Sequence, residues 1–282
     1  MTLIPASPAW RAFSRNPAAM IGLVLVALVV FAALFADWIA PYPSHAGPIG
    51  DFSAMTAAPS RRFLLGTDTI GRDLLTRLIY AYRLSLEMAV VVLAIATPVG
   101  VVVGLLAGVL GPAWSYGLMR LTDVFLSIPP LVLAMSITGF LEPSAIHGMI
   151  AITAMWWPWY ARLAYNLTRA EKQEGYVLAA QTVGASLPHI LFREILPNCT
   201  PAILTKMTID VGFVILIASS MSFLGLGAQA PTPDLGAMVA DGAKYMPDAW
   251  WLTVFPALAI LIAVMGFNLL GDGLREAADA DR

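Results

Sequence analysis

Uncharged stretches of membrane-spanning length recur along this 282-residue chain. No charge occurs from Asn16 to Ala36, from Met88 to Met119 or from Leu252 to Gly271. About 20 apolar residues suffice for an α-helix to cross a bilayer. Inside the hydrocarbon every backbone N–H and C=O must find its partner within the protein, which leaves helices as the natural reading of such runs. Charged residues make up 12% of the chain, about half the share usual in a soluble domain. The expected fold is therefore all-α and polytopic, with six transmembrane helices. The spans fall at about Asn16–Ala36, Met88 to the Gly111-Pro112 break, Leu121–Leu141, Ala145–Tyr165, Ala202–Leu226 and Leu252–Gly271. Pro129-Pro130 should bend the third.

These spans divide the chain into a cytoplasmic N-terminus (1–17), a first transmembrane helix (18–40), an external loop (41–85), a five-helix core (86–272) holding a cytoplasmic loop at 166–200, and a cytoplasmic tail (273–282). A signal peptide would have a shorter apolar core and a small-residue cleavage site, so the first run reads as a retained span. With the N-terminus inside, ten of the sixteen Lys and Arg fall on the cytoplasmic side, Arg120, Arg162, Arg169, Lys172 and Arg282 among them. That bias has the sign of the positive-inside rule. In the external loop, Thr69 or Asp68 would cap an amphipathic surface helix within Leu64–Leu86, its stripe formed by Leu74, Leu75, Leu78, Ile79 and Tyr82. Arg72, Asp73, Thr76, Arg77 and Arg83 would supply its polar side.

Between the fourth and fifth spans lies the polar, amphipathic stretch Tyr176–Pro197. Tyr176, Val177, Ala179, Ala180 and Val183 give a short helix one small apolar face. Gly184 breaks it, being free to take a positive φ, and Ala185 and Ser186 follow. Ser186 would cap a second helix that carries Leu187, Ile190, Leu191 and Ile195 inward and stops before Pro197. Two short helices joined by a tight turn make a rigid knob that another protein can grip.

Several features keep two readings. Gly100, Gly104 and Gly108 repeat every four residues and make a flat seam for close helix approach, either inside the subunit or between subunits. Asp210 is an ionisable group at membrane depth, either a helix-to-helix hydrogen bond or part of a pathway. Ser219, Ser220 and Ser222 either line a polar pathway or allow tight packing. Trp156, Trp157, Trp159 and Tyr160 read as a cytoplasmic interfacial belt, with substrate stacking as the sharper alternative. The external stretch Ala230–Trp251, with Asp234, Asp241 and Asp248 against Lys244, is a candidate docking surface.

Enzymatic chemistry finds no support. The chain has no GxxxxGK[ST] phosphate loop, no HExxH and no GxSxG, and its one cysteine and three histidines have no metal-ligand spacing. No cofactor is implied, and no basic cluster suggests nucleic acid.

The Tyr176–Pro197 stretch resembles the cytoplasmic loop of ABC-importer membrane subunits, with Ala179-Ala180, Gly184 and Leu196-Pro197 at the matching positions. GTD-x-x-GRD (66–73), SFLGLGAQAPTP and FNLLGDGLREA resemble the dipeptide, oligopeptide and nickel branch of those permeases. The resemblance implies a type I importer permease fold in a bacterial inner membrane, contacting lipid and carrying no catalysis of its own. It also implies a homologous second permease, two ATPase subunits that receive the loop, and an external solute-binding protein. The implied substrate is a di- or oligopeptide, with nickel or a nickel chelate as the alternative. A stand-alone secondary transporter is the alternative from another class, though the inverted repeats that reading predicts are not evident. One position departs from the family pattern: Leu178 stands where the family usually has Glu, so a polar contact is missing or is replaced by Glu174 or Gln181.

Overall fold

The computed structural model describes residues 8–279. Arg282 and the first seven residues of the expected N-terminal segment lie outside the described residues. Among the described residues regular structure is helical, apart from one isolated bridge between Thr67 and Asp73.

A short helix α1 (Pro8–Arg15) precedes α2 (Pro17–Leu34), the first long apolar helix. Asn16 sets the start of α2, its Oδ1 accepting from the N–H groups of Ala18 and Ala19, while Pro17 has no N–H and so needs no acceptor. A single turn, α3 (Ala36–Ile39), leads into the segment between α3 and the next long helix. The next helix, α4 (Leu74–Val109), has 36 residues, about 54 Å at 1.5 Å per residue.

Here the expected surface helix is corrected. The true N-cap is Asp73, whose Oδ2 accepts from Thr76 N at 2.8 Å. From there the helix runs without a break into the span. Thr76 and Arg77, assigned above to the polar side, are buried, because the start of α4 packs against the folded segment that precedes it rather than lying on a surface.

Gly111 is the N-cap of α5 (Pro112–Leu126), so a second helix follows the Gly111-Pro112 break directly. The expected third span is broken rather than bent. α5 and α6 (Pro130–Gly139) meet at 82°, since Pro130 offers no N–H and Pro129 holds the chain extended at ψ 128°. α7 (Ala145–Glu171) follows, then α8 (Gly175–Thr182) and the single turn α9 (Leu187–His189).

A π-helical turn over Ile190–Ile195 joins α9 to α10 (Leu196–Phe223). The expected stop before Pro197 therefore does not occur. Leu196 N donates to Leu191 O, five residues back, and this shift in register leaves Pro197 where no donor is required. α11 (Leu235–Ala243) and α12 (Trp251–Asp279) complete the chain.

Four of these helical stretches are long and apolar enough to cross a membrane: Pro17–Leu34, Leu74–Val109, Leu187–Phe223 and Trp251–Ala278. α5 and α6 make a fifth if taken as one broken span. α7 is 27 residues long, but its Trp-Trp-Pro-Trp-Tyr stretch and Arg162 make it less apolar than those helices.

The core is built on close helix pairs. α4 lies along α7, α12 lies against α2 and α10, and α11 tucks between α10 and α12. Small residues allow the approach, as lipid gives helices no hydrophobic drive to associate. A Cβ at Gly104 would stand 2.4 Å from Ala161 O, and one at Gly22 2.5 Å from Leu270 N.

Candidate functional site

The Tyr176–Pro197 stretch forms the expected knob at the end of the bundle reached by α7. α8 ends in a Schellman turn. Gly184 takes φ +79°, its N–H donates to Gln181 O at 3.0 Å, and Ala185 N donates to Ala180 O at 3.0 Å. Ala180 and Ala185 both pack on the main core. Val177 on α8 and Ile190, Leu191 and Ile195 beyond the turn are buried, which anchors both arms. Leu187 is not among them: it is 43% exposed, on the outer side of the first turn, and Ser186 forms no side-chain cap. Tyr176 donates its hydroxyl to Glu171; burial, reinforced by that bond, pushes the phenol well above its usual range.

The outer surface of the knob carries several large apolar side chains. Val183 is 83% exposed, Phe192 55% and Leu178 50%, with Tyr176 beside them. No atom lies within 4 Å of where a Cβ on Gly184 would be, so the turn itself faces outward. A folded segment with its own buried anchors and an exposed apolar surface fits a partner's groove better than it fits water. Glu174 and Gln181, the residues considered as replacements for the missing Glu, are both exposed on α8.

The membrane-depth residues fall into separate places. Asp210 is 1% exposed. Its Oδ2 accepts from Trp156 Nε1 of α7 at 3.1 Å, and its Oδ1 accepts from Lys206 Nζ at 2.6 Å. Lys206 in turn lies about 6 Å from the ring centres of Trp159 and Tyr160. Trp156 and Tyr160 are buried, so the belt reading is corrected for these two: they face α10, not the bilayer interface. Sequence reasoning missed Lys206 as the partner of Asp210, although an i, i+4 Lys–Asp pair within an apolar run signals it.

Ser222 donates to Asp234 Oδ2 at 3.0 Å, while Asp234 Oδ1 caps α11 by accepting from Ala237 N. Burial raises the Asp234 pKa against the lowering effect of these bonds. Asp234 therefore does not belong to an external docking surface, although Asp241 and Lys244 do lie exposed as an ion pair. Ser219 and Ser220 border a mostly apolar cavity of about 330 Å³ between α6, α10, α11 and α12. Gly100, Gly104 and Gly108 all face α7 of the same chain.

The GTD-x-x-GRD stretch braces the segment between α3 and α4. Asp68 accepts from the N–H groups of Ile70 and Arg72 and from Arg72 Nε at 2.7 Å, and Arg77 Nε lies 3.5 Å away. Asp73 N donates to His45 Nδ1, and a Cβ on Gly71 would stand 1.8 Å from Asp51 O.

Residues 100–281 match the family model described as "Binding-protein-dependent transport system inner membrane component". Residues 5–59 match "N-terminal TM domain of oligopeptide transport permease C". The chain is 41% identical to the "Di/tripeptide transport system permease protein DppC" of Pseudomonas aeruginosa, over 98% of this chain and 92% of that protein. It is 39% identical to the "Dipeptide transport system permease protein DppC" of Escherichia coli K12 (98% and 93% covered). It is also 39% identical to the "Glutathione transport system permease protein GsiD" of E. coli (96% and 88% covered). Among solved structures, a chain of the inward-facing MetNI methionine ABC transporter superposes with a TM-score of 0.59, covering 73% of this chain and 97% of that one. At 20% identity that likeness speaks for the fold alone.

Proposed function

This chain belongs to the family of binding-protein-dependent transport system inner membrane components, and from that premise we propose that it is one half of the translocation pathway of an ATP-driven importer of di- or oligopeptides. The observation that carries the substrate class is near-full-length similarity to di- and tripeptide permeases. The mechanism rests on the knob. A second, homologous permease completes the pathway, two ATPase subunits lie on the side of Tyr176–Pro197, and an external binding protein delivers the peptide.

In this reading α7 is the fourth of six spans, α5 and α6 together form the third, and both termini are cytoplasmic. Closure of the ATPases pulls the exposed turn at Val183–Gly184. Val177, Ile190, Leu191 and Ile195 pass that displacement into α7 and α10 through the core they belong to. Because α10 continues from the knob without a loop, movement of the knob is movement of the span. ATP hydrolysis stays on the partner subunits, consistent with the missing phosphate loop.

The test is the reconstituted complex with its genomic neighbours, the binding protein being offered dipeptides, longer peptides, glutathione or nickel in turn. ATPase activity stimulated by peptide-loaded binding protein is the expected result. If nickel alone stimulates, the substrate assignment falls; if no ATPase associates, the coupling mechanism falls.

A further inference from the structure

A cleft of about 950 Å³ opens at the same end of the bundle as α8, between the last turn of α4, the C-terminal half of α7 and the length of α5. Four cations line it, Arg120, Arg162, Arg169 and Lys172, against the single carboxylate of Asp123. Arg162 pairs with that carboxylate. Arg120, Arg169 and Lys172 form no ion pair among the described residues. Arg169 is steered instead by Tyr165, to whose hydroxyl it donates at 3.2 Å, and Arg120 lies 5.1 Å from the centre of the Tyr116 ring. Three unneutralised cations around one cavity repel each other, and an anion among them removes that cost. Leu178 and Gln181 of α8 also border the cleft, and neither adds a carboxylate to it.

Beside the cleft, the outward face of α5 is apolar. Trp114 and Leu121, seven residues apart and on one face of α5, are 67% and 50% exposed, and Val124 beyond them is 59% exposed. A basic cavity opening onto an unpartnered apolar helix face, at the end of a transmembrane bundle, fits one ligand chemistry: a phosphate head carrying acyl chains. We infer that this cleft binds an anionic phospholipid of the cytoplasmic leaflet, its phosphate among Arg120, Arg169 and Lys172 and its chains along α5. The inference rests on the orientation proposed above, which puts this end of the bundle in the cytoplasm. Because α8 forms part of the cleft wall, bound lipid would steady the knob against α7.

The test uses the complete complex in nanodiscs of phosphatidylcholine, with or without phosphatidylglycerol, and counts retained lipids by native mass spectrometry. The wild type is expected to retain phosphatidylglycerol in preference to phosphatidylcholine. Arg169→Gln/Lys172→Gln should weaken that retention about thirtyfold, roughly fivefold for each cation removed. Arg169→Lys/Lys172→Arg keeps both charges and should restore it, which separates lost charge from lost folding. Equal retention of the two lipids, or phosphatidylglycerol retention unchanged in the double Gln variant, overturns the inference. So does thermal stabilisation by inorganic phosphate in phosphatidylcholine discs that depends on Arg169 and Lys172 while phosphatidylglycerol is not retained; the ligand is then a free anion. Co-purification of the ATPase from the same samples reports separately on the transport mechanism, so the two readings can fail independently.

Discussion

Substitutions at Gly184 separate the shape of the knob from the surface it offers. The residue holds φ +79°, and an L-residue in that region costs about 1–2 kcal/mol, Asn rather less. No atom lies within 4 Å of a new Cβ, so a side chain there clashes with nothing inside the subunit and projects onto the outer surface. Abandoning the left-handed turn instead would lose the bonds from Gly184 N to Gln181 O and from Ala185 N to Ala180 O. Each is worth about 1 kcal/mol net, so neither route unfolds a knob anchored by four buried side chains. Gly184→Ala therefore carries strain alone, about five- to thirtyfold in the docked population. Gly184→Asn carries less strain and modest bulk, and Gly184→Leu carries both strain and bulk at the point of contact. In proteoliposomes, peptide taken up per ATP hydrolysed should fall slightly for Asn, about five- to thirtyfold for Ala, and collapse for Leu, with the protein still inserted. Normal uptake and stoichiometry in Gly184→Leu would refute docking through this turn. Equal losses for Ala and Leu would refute the claim that position 184 faces the partner.

Asp234 has a pKa raised by burial, so the folded state holds a proton that the unfolded state, near 3.9, has already released. Its contribution to stability is greatest below the unfolded pKa and is lost as pH rises through the folded one. Asp234→Asn keeps the cap to Ala237 and a bond to Ser222, so its melting temperature in detergent should gain on the wild type between acid and neutral pH; parallel profiles would contradict this. In the α4–α7 seam, Gly104→Leu must push the helices apart by roughly 1 Å to relieve a 2.4 Å approach to Ala161 O, costing at least about 3 kcal/mol, read as lost expression or a lower melting temperature. At the Asp210 cluster, Lys206→Met strands a buried carboxylate, whereas Lys206→Met/Asp210→Asn removes the charge together with its partner. The double variant should recover most of the stability lost by the single one; absence of recovery would show that the pair contributes nothing.

What was legible from sequence follows how local each cause is. The knob could be read because its signals are short-range: a helical apolar face at 176–183, a glycine free to close a Schellman turn, and apolar residues beyond it. The Gly100–Gly104–Gly108 spacing announced a close helix contact, but only the fold shows that α7 fills the seam. The errors came where long-range packing set the boundary. Asp68 and Thr69 carry the same capping chemistry as Asp73, and nothing local reveals that Asp68 is already engaged by Arg72 and Arg77. Pro197 ordinarily ends a helix; it does not here because a π turn shifts the ladder by one residue just before it. The aromatic run at 156–160 looked interfacial because Trp and Tyr usually are. Trp156 is inside because its indole N–H is a donor that a buried carboxylate 54 residues away requires. Asp210 and Trp156 thus explain each other, and neither is interpretable alone. A polar residue within a span is read correctly only together with the partner on the next helix, so the reliable sequence signal is a pair of such residues on neighbouring spans, with the fold deciding which pairs meet.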